Sequence, residues 1–208
     1  MIAPLTLTEL LAADPLGAVK AAMRARLAAL LPGISVVSHP GKIDIAEVVA
    51  KAVVAAPGLA LGWSRVRAAR LIDGASQTAV EWTAYIVVED MALAARRVDR
   101  ETLGLAIGAR LIRILGDGET ATWGMGNLLP PEPDPRPEMK PIFTVRDATQ
   151  GAAYYAVTWT QMLVDQGESL FGADAPQLAA DPSALALDVS FEAGIPADIL
   201  ALLGGDHG

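Results

Sequence analysis

The stretch AVEWTAYIVVE at residues 79–89 decides the fold class of this 208-residue chain. Aromatic and β-branched residues recur at every second position, which is the period of a β-strand that turns one face toward a core. We therefore predict a half-buried antiparallel strand here. One face carries Val80, Trp82, Ala84, Ile86 and Val88, and the other carries Glu81, Thr83, Tyr85, Val87 and Glu89.

Two more strand patterns lie on either side of this stretch. Leu59–Ile72 precedes it, with an interruption near residues 65–70, and a turn-rich connection predicts that the two strands form a hairpin. Ala153–Val164 alternates again. Trp82 and Trp159 each fall on the apolar face of their own strand, so we expect both indoles to pack in the core rather than to bind a ligand.

Capping residues and apolar stripes mark the helices. A helix is predicted to begin after Asp14 and to end at Pro32, and a second to begin after Asp99 and to end at Gly116. Ile43–Ala56 fits a third helix. The stripes that support the first two are Val19, Met23, Leu27 and Leu30, then Leu103, Ile107, Leu111, Ile114 and Leu115.

The order of these elements, with a short strand at Ile34–Val37, separates helices from a hairpin and lacks regular βαβ alternation. We therefore predict an α+β fold, in which two main helices pack on one face of an antiparallel (mixed) sheet. Between Asn127 and Ile142 lie six prolines, which remove the backbone donors that a helix or central strand needs. This segment, 127–141, is predicted to be an extended proline-rich arm.

The balance of acidic and basic residues differs between the first 146 residues and the rest of the chain. Up to Arg146 there are 16 basic and 15 acidic residues, whereas residues 147–208 carry nine acids and no base. We predict an N-terminal segment at 1–13, an α+β domain at 14–166 and an acidic C-terminal extension at 167–208. This balance argues against nucleic-acid binding through a broad basic face, and we expect no sequence-specific nucleic-acid recognition.

Several functional classes lack the residues they need. The chain has no cysteine and two histidines, which excludes cysteine chemistry and leaves almost no material for a serine triad or a histidine metal site. Ser38 and His39 are adjacent, so we expect a surface histidine at a turn rather than a catalytic pair, and we expect Glu89 and Asp90 to be solvated. We predict a protein that is not an enzyme, with no cofactor or metal.

The sequence contains no recognisable signal for membrane insertion or secretion. The apolar runs are far shorter than a membrane span of about 20 residues. The first 14 residues lack the pattern of a secretory signal. The sequence therefore predicts a cytoplasmic protein without a membrane partner.

Arginines form two local clusters. Six arginines without lysine in two short stretches are compatible with ordinary surface charge, but they also suit fixed ion pairing at an interface. We consider them candidates for a subunit or partner contact: Arg65, Arg67 and Arg70, then Arg96, Arg97 and Arg100.

From about residue 14 to residue 166 the segments follow a distinctive order. They are the opening helix, the Ser38-His39-Pro40-Gly41 turn, Leu59-Ala60-Leu61-Gly62-Trp63, the strand through Tyr85-Ile86-Val87-Val88, the helix Leu103–Leu115 and the last strand through Tyr154-Tyr155-Ala156-Val157-Thr158-Trp159. This order resembles the Mu-like prophage tail-completion proteins and, more broadly, the phage tail terminators. The resemblance implies a structural protein that forms a ring, commonly a hexamer, on the tail tube and meets the neck or connector. It places the protein in the host cytoplasm during assembly and then in the virion tail.

Two site predictions follow from the resemblance. An acidic lumen would let DNA slide through the ring, and Glu81 and Glu89 are the candidate lumen acids. A proline-stiffened arm loses little entropy on docking, so it suits contact with a subunit or the tube. The candidate arm residues are Pro131, Pro133, Pro135 and Pro137.

Two other functions stay open. A head-completion or neck protein shares this size and ring habit. A small-molecule-binding or enzymatic α+β domain would instead use the sheet face or the loops near Trp123.

Overall fold

The computed structural model describes residues 4–41, 53–68, 76–142 and 151–166, and every structural statement below refers to these residues. The predicted extension 167–208 lies outside them, as does most of the predicted helix Ile43–Ala56; residues 53–56 of that prediction are not helical. No helix in the described ranges is both long and apolar enough to cross a bilayer.

Four helices occur in the described residues, and side chains cap them. They are α1 (Leu7–Ala12), α2 (Pro15–Leu30), α3 (Arg100–Gly116) and the short α4 (Gly118–Ala121). Asp14 accepts a hydrogen bond from the backbone N–H of Leu16, and Asp99 accepts one from Thr102. The two long helices therefore begin where the sequence predicted, because a carboxylate satisfies an otherwise free N–H in each first turn.

The sheet has five strands in the order β1-β2-β3-β7-β6. The strands are β1 (Ser35–Ser38), β2 (Gly58–Ala68), β3 (Ser76–Glu89), β6 (Glu138–Pro141) and β7 (Ala152–Gln166). β1 runs parallel to β2, and the other neighbours are antiparallel. The predicted hairpin is the β2–β3 pair. Residues 65–68 of the predicted interruption belong to β2, and a register shift lies earlier, between Trp63 and Arg65. A small hairpin, β4 (Met91–Leu93) with β5 (Arg96–Val98), follows β3.

The main core lies between one sheet face and the helices α2 and α3, which confirms the α+β class with two helices on one face. Trp63, Trp82 and Trp159 stand opposite one another on three neighbouring strands. Trp82 and Trp159 are buried, as predicted, while Trp63 at the end of the row is exposed. The helices contribute the buried residues Val19, Met23, Leu27, Ile107, Leu111, Ile114 and Leu115.

The opposite sheet face is also apolar over half of its length. Tyr85, Val87 and Tyr154 are buried there with Ala60 and Val53 in a second cluster. The prediction that residues 79–89 form a half-buried strand is therefore wrong for the second half of β3, which is buried on both faces. Val53, Val54 and Ala56, from the segment before β2, pack in this cluster, whereas the Glu81 end of the same face stays partly open.

Two glycines allow α3 to approach the sheet closely. A Cβ on Gly104 would lie 2.3 Å from Cε2 of Tyr155, and a Cβ on Gly108 would lie 2.1 Å from Sδ of Met139. Tyr155 belongs to β7 and Met139 to β6, so the two glycines bring the helix against the edge of the sheet. Only a residue without a side chain fits these contacts unchanged.

His39 is buried, so the prediction of a surface histidine is wrong. Its Nδ1 lies 2.8 Å from the carbonyl oxygen of Gly41, and its ring meets the Tyr85 ring edge to face at 5.7 Å. The Nζ of Lys20 donates to the His39 carbonyl oxygen. The histidine thus joins the end of β1 to helix α2 and to the second cluster.

Candidate interaction surface

Arg65 and Arg67 meet Glu81 on the partly open end of the second sheet face. Arg65 is the register partner of Glu81 across β2 and β3. Its Nε lies 3.7 Å from Glu81 Oε2, and Nη2 of Arg67 lies 3.2 Å from Oε1. Ser64 Oγ also donates to Oε2 at 3.1 Å. Two guanidinium groups therefore share one carboxylate, which leaves this group with a net positive charge.

The second arginine cluster surrounds the β4–β5 hairpin. Nη2 of Arg97 donates to Asp90 Oδ2 at 2.7 Å, and the backbone N–H of Arg100 donates to Oδ1 at 3.0 Å. The hydrogen bond from Arg97 is the main cause that holds the pKa of Asp90 below its ordinary value. Asp90 is exposed, as expected for a solvated acid, and it also forms an ion pair with Arg97. Arg96 is exposed on the same hairpin, and Glu89 is half-buried at the end of β3.

The two arginine clusters do not form one basic patch. The first cluster lies at Glu81, and the second lies next to Glu89, the residue before Asp90. The two glutamates are eight residues apart on β3, which corresponds to roughly 27 Å along an extended strand. Both glutamates lie on the same sheet face. Arg70, the remaining member of the first predicted cluster, lies outside the described residues.

The proline-rich segment is attached to β7 before and after an exposed bend. The backbone N–H groups of Leu129 and Glu132 donate to the carbonyl oxygens of Met162 and Thr160, at 2.9 and 2.8 Å. β6 then pairs with β7 from Glu138 onward. Between these attachments Pro133 and Pro135 are exposed, while Pro131 and Pro137 are half-buried.

This bend lies next to the first arginine cluster. Pro135 and Arg136 line a polar cleft of about 230 Å³ together with Glu81 and Ser64, and its remaining walls come from Glu138, Thr158, Trp159 and Thr160. The structure thus brings together three predictions that are distant in the sequence: an arginine pair, a candidate lumen acid and the proline segment. Arg136 was missed, although a lone base among prolines was a visible signal.

Gln161 fixes the beginning of the proline segment. Its side chain is fully buried on the apolar face of β7. Oε1 accepts hydrogen bonds from Nε1 of Trp123 and of Trp159, at 3.0 and 2.9 Å. Nε2 donates to the carbonyl oxygens of Ala121 and Leu129, at 2.8 and 2.9 Å. All four bonding positions of the amide are used, so the residue links β7, α4 and the proline segment.

The described residues contain no group of three or more His, Cys, Asp or Glu side chains that could hold a metal ion. Their charged groups are arranged as exposed ion pairs, which suit contact with a charged macromolecular surface. No protein-family model matches this chain, and no curated protein matches it.

Proposed function

We propose that this protein is a phage or prophage tail terminator, or tail-completion protein, that caps the tail tube as a ring and joins it to the neck. The observation that carries the proposal is the element order. The elements follow the order of the segments on which the resemblance rests: α2, β1, the β2–β3 hairpin, α3 and β7. Both long helices lie on one sheet face.

The surface around Glu81 supports an assembly role. A rigid sheet buried on both faces over part of its length holds the charged groups and the proline bend in fixed positions. Such preorganised contacts lose little entropy on docking. In the proposed ring, the bend around Pro133 and Pro135 contacts a neighbouring subunit or the tube, and the arginine clusters pair with acids of the partner.

The lumen assignment follows from the same proposal. Glu81 and Glu89 lie on one sheet face, on either side of the part that buries Tyr85 and Val87, and we propose that these two positions line the channel. Arg65 and Arg67 offset the charge of Glu81, so this carboxylate alone would add little to the repulsion of DNA. A ring structure with both glutamates on its outer surface would contradict this assignment.

The test combines mass and tube binding. Light scattering across a concentration range should give a mass near six times 21.6 kDa if the ring forms alone. Polymerised tail-tube protein mixed with this protein should show a ring at one end by electron microscopy, and tube growth should stop. Binding to the head connector but not to tubes would favour the neck function. A monomer that binds neither would overturn the proposal.

A further inference from the structure

A second cleft, which we call the Trp63 cleft, opens on the helix-covered face of the sheet. It measures about 390 Å³ and lies between the first turns of α2 and the strands β2 and β3. Buried Val80 and Trp82 line it, and Trp63 and Val66 stand exposed at its rim. Trp63 and Val66 are the register partners of Trp82 and Val80, so the apolar core continues into this open cleft.

Helix α1 exposes its apolar side chains to solvent. Its leucines are strongly exposed, with Leu7 at 73%, Leu10 at 53% and Leu11 at 70%, and none of its residues is buried. Thr6 and Glu9 form a reciprocal capping box that fixes where it begins. A six-residue helix is far below the length that is stable alone in water, so it needs a packing partner.

The positions of α1 and the cleft favour a partner in another copy. α1 ends only two residues before Asp14, which caps α2 and lines the cleft. In this arrangement the α1 leucines remain exposed and leave the cleft of their own chain open. A chain that presents an apolar helix and an unfilled apolar cleft at different places has the two halves of a heterologous contact.

Lys20 and Asp14 are the charged residues that line the cleft, and Lys20 is the one that a negatively charged helix end can approach. Burial lowers the pKa of the Lys20 ammonium group. Nζ of Lys20 donates a hydrogen bond to the His39 carbonyl oxygen. Among the described residues, no carboxylate lies within ion-pair distance of this Nζ. The first 14 residues contain Glu9 and Asp14 but no Lys or Arg, and the last turn of α1 has no basic residue. A docked α1 would bring its partly negative carboxyl end toward Lys20.

We propose that α1 of one copy inserts Leu10 and Leu11 into the Trp63 cleft of the next copy. Because helix and cleft are different surfaces, repetition of the contact closes a ring when the rotation between copies is a whole fraction of a full turn. The inference rests on the proposed function, since it assigns the contact between subunits of that ring.

Site-specific crosslinking tests the contact, because the chain has no native cysteine. Leu10→Cys and Val66→Cys variants with different tags are mixed and treated with a short bismaleimide. We expect a covalent heterodimer whose linked peptides contain positions 10 and 66. Leu105 is as exposed as Leu10, at 54%, so Leu105→Cys mixed with Val66→Cys is the matched control. Yields no higher than this control would overturn the inference, as would a Leu10→Cys/Val66→Cys double variant whose crosslinks are confined within single chains.

Mass measurements separate this inference from the proposed function. Leu10→Asp should dissociate the oligomer to monomers with an unchanged circular dichroism spectrum, whereas Leu105→Asp should leave the mass unaltered. If Leu10→Asp still forms rings on tube ends, the inference fails and the proposed function stands. If the cysteine variants crosslink as expected but the wild-type protein never binds tubes, the proposed function fails and the contact stands. A mass of two copies would indicate reciprocal exchange and overturn the ring arrangement.

Discussion

The indole Nε1 of Trp123 donates a hydrogen bond of 3.0 Å to Oε1 of Gln161, which lies 38 residues further along the chain. This bond joins the loop after α4 to the middle of β7. The same amide oxygen accepts from Trp159, and the amide nitrogen holds two backbone carbonyls. A polar side chain therefore stabilises an apolar part of the molecule, because the two indole N–H groups and the two carbonyls that it contacts each gain a partner.

Gln161→Leu should destabilise the fold by about 3 kcal/mol or more, since it leaves two indole N–H groups and two carbonyls buried without that partner. Chemical denaturation followed by tryptophan fluorescence measures the change. Trp123→Phe removes one donor, and the double variant completes a cycle. Additive effects of the two substitutions would show that the hydrogen bond contributes no coupling.

Gly104→Ala should lower stability by roughly 2 kcal/mol, because its new Cβ would overlap the Tyr155 ring and move the helix or the strand. Gly116→Ala on the same helix is the control, since no atom lies within 4 Å of its built Cβ. It should be neutral or slightly stabilising. Equal loss of stability in both variants would mean that the close approach of α3 is not the cause.

The Asp90–Arg97 ion pair should make a small contribution to stability that depends on pH and salt. The pKa of Asp90 is lowered in the folded protein, chiefly by the Arg97 hydrogen bond, so the contribution is complete above the unfolded value and is lost as pH falls through the folded value. Asp90→Asn should therefore lower Tm slightly at neutral pH and have little effect in strong acid. A Tm difference that is the same at both pH values would contradict this role.

Replacement of Pro133 and Pro135 by serine should leave the monomer folded but weaken ring assembly. Both prolines are exposed at the bend, and serine lets the unbound segment sample more conformations that docking must then restrict. Sedimentation velocity across a concentration series measures assembly. Pro32→Ser, at the exposed turn after α2, is the control. Unchanged assembly of the Pro133 and Pro135 variant would argue against a docking role for the bend.

Helices and central strands were predictable because their signals are local. Asp14 and Asp99 begin helices through hydrogen bonds within three residues, and the alternation along β3 and β7 needs no information from elsewhere. The burial of Tyr85 and Val87 was not predictable, because it depends on side chains contributed by β2, β7 and Val53. Periodicity describes one strand, whereas burial depends on all of its neighbours.

Site contacts were harder to predict for the same reason. The clusters were visible as arginines close in sequence, but their partners Glu81 and Asp90 are set by strand register and hairpin geometry. The position of Gln161 in the apolar stripe of β7 is the only sequence signal of its hydrogen-bond network. The Trp63 cleft gives no sequence signal, because it arises where α2 leaves part of the sheet uncovered.

The strand order also determines when the sheet can be completed during folding. β3 pairs with β2 through a short connection, but its other neighbour, β7, follows only after α3 and the proline segment. Contacts so distant in sequence slow folding, because loop-closure entropy is lost before the strands pair. Until β7 arrives, the β2–β3 hairpin has an open apolar edge along β3. Newly made or refolding chains are then most exposed to strand pairing with other copies, and dilution or low temperature should raise the refolding yield.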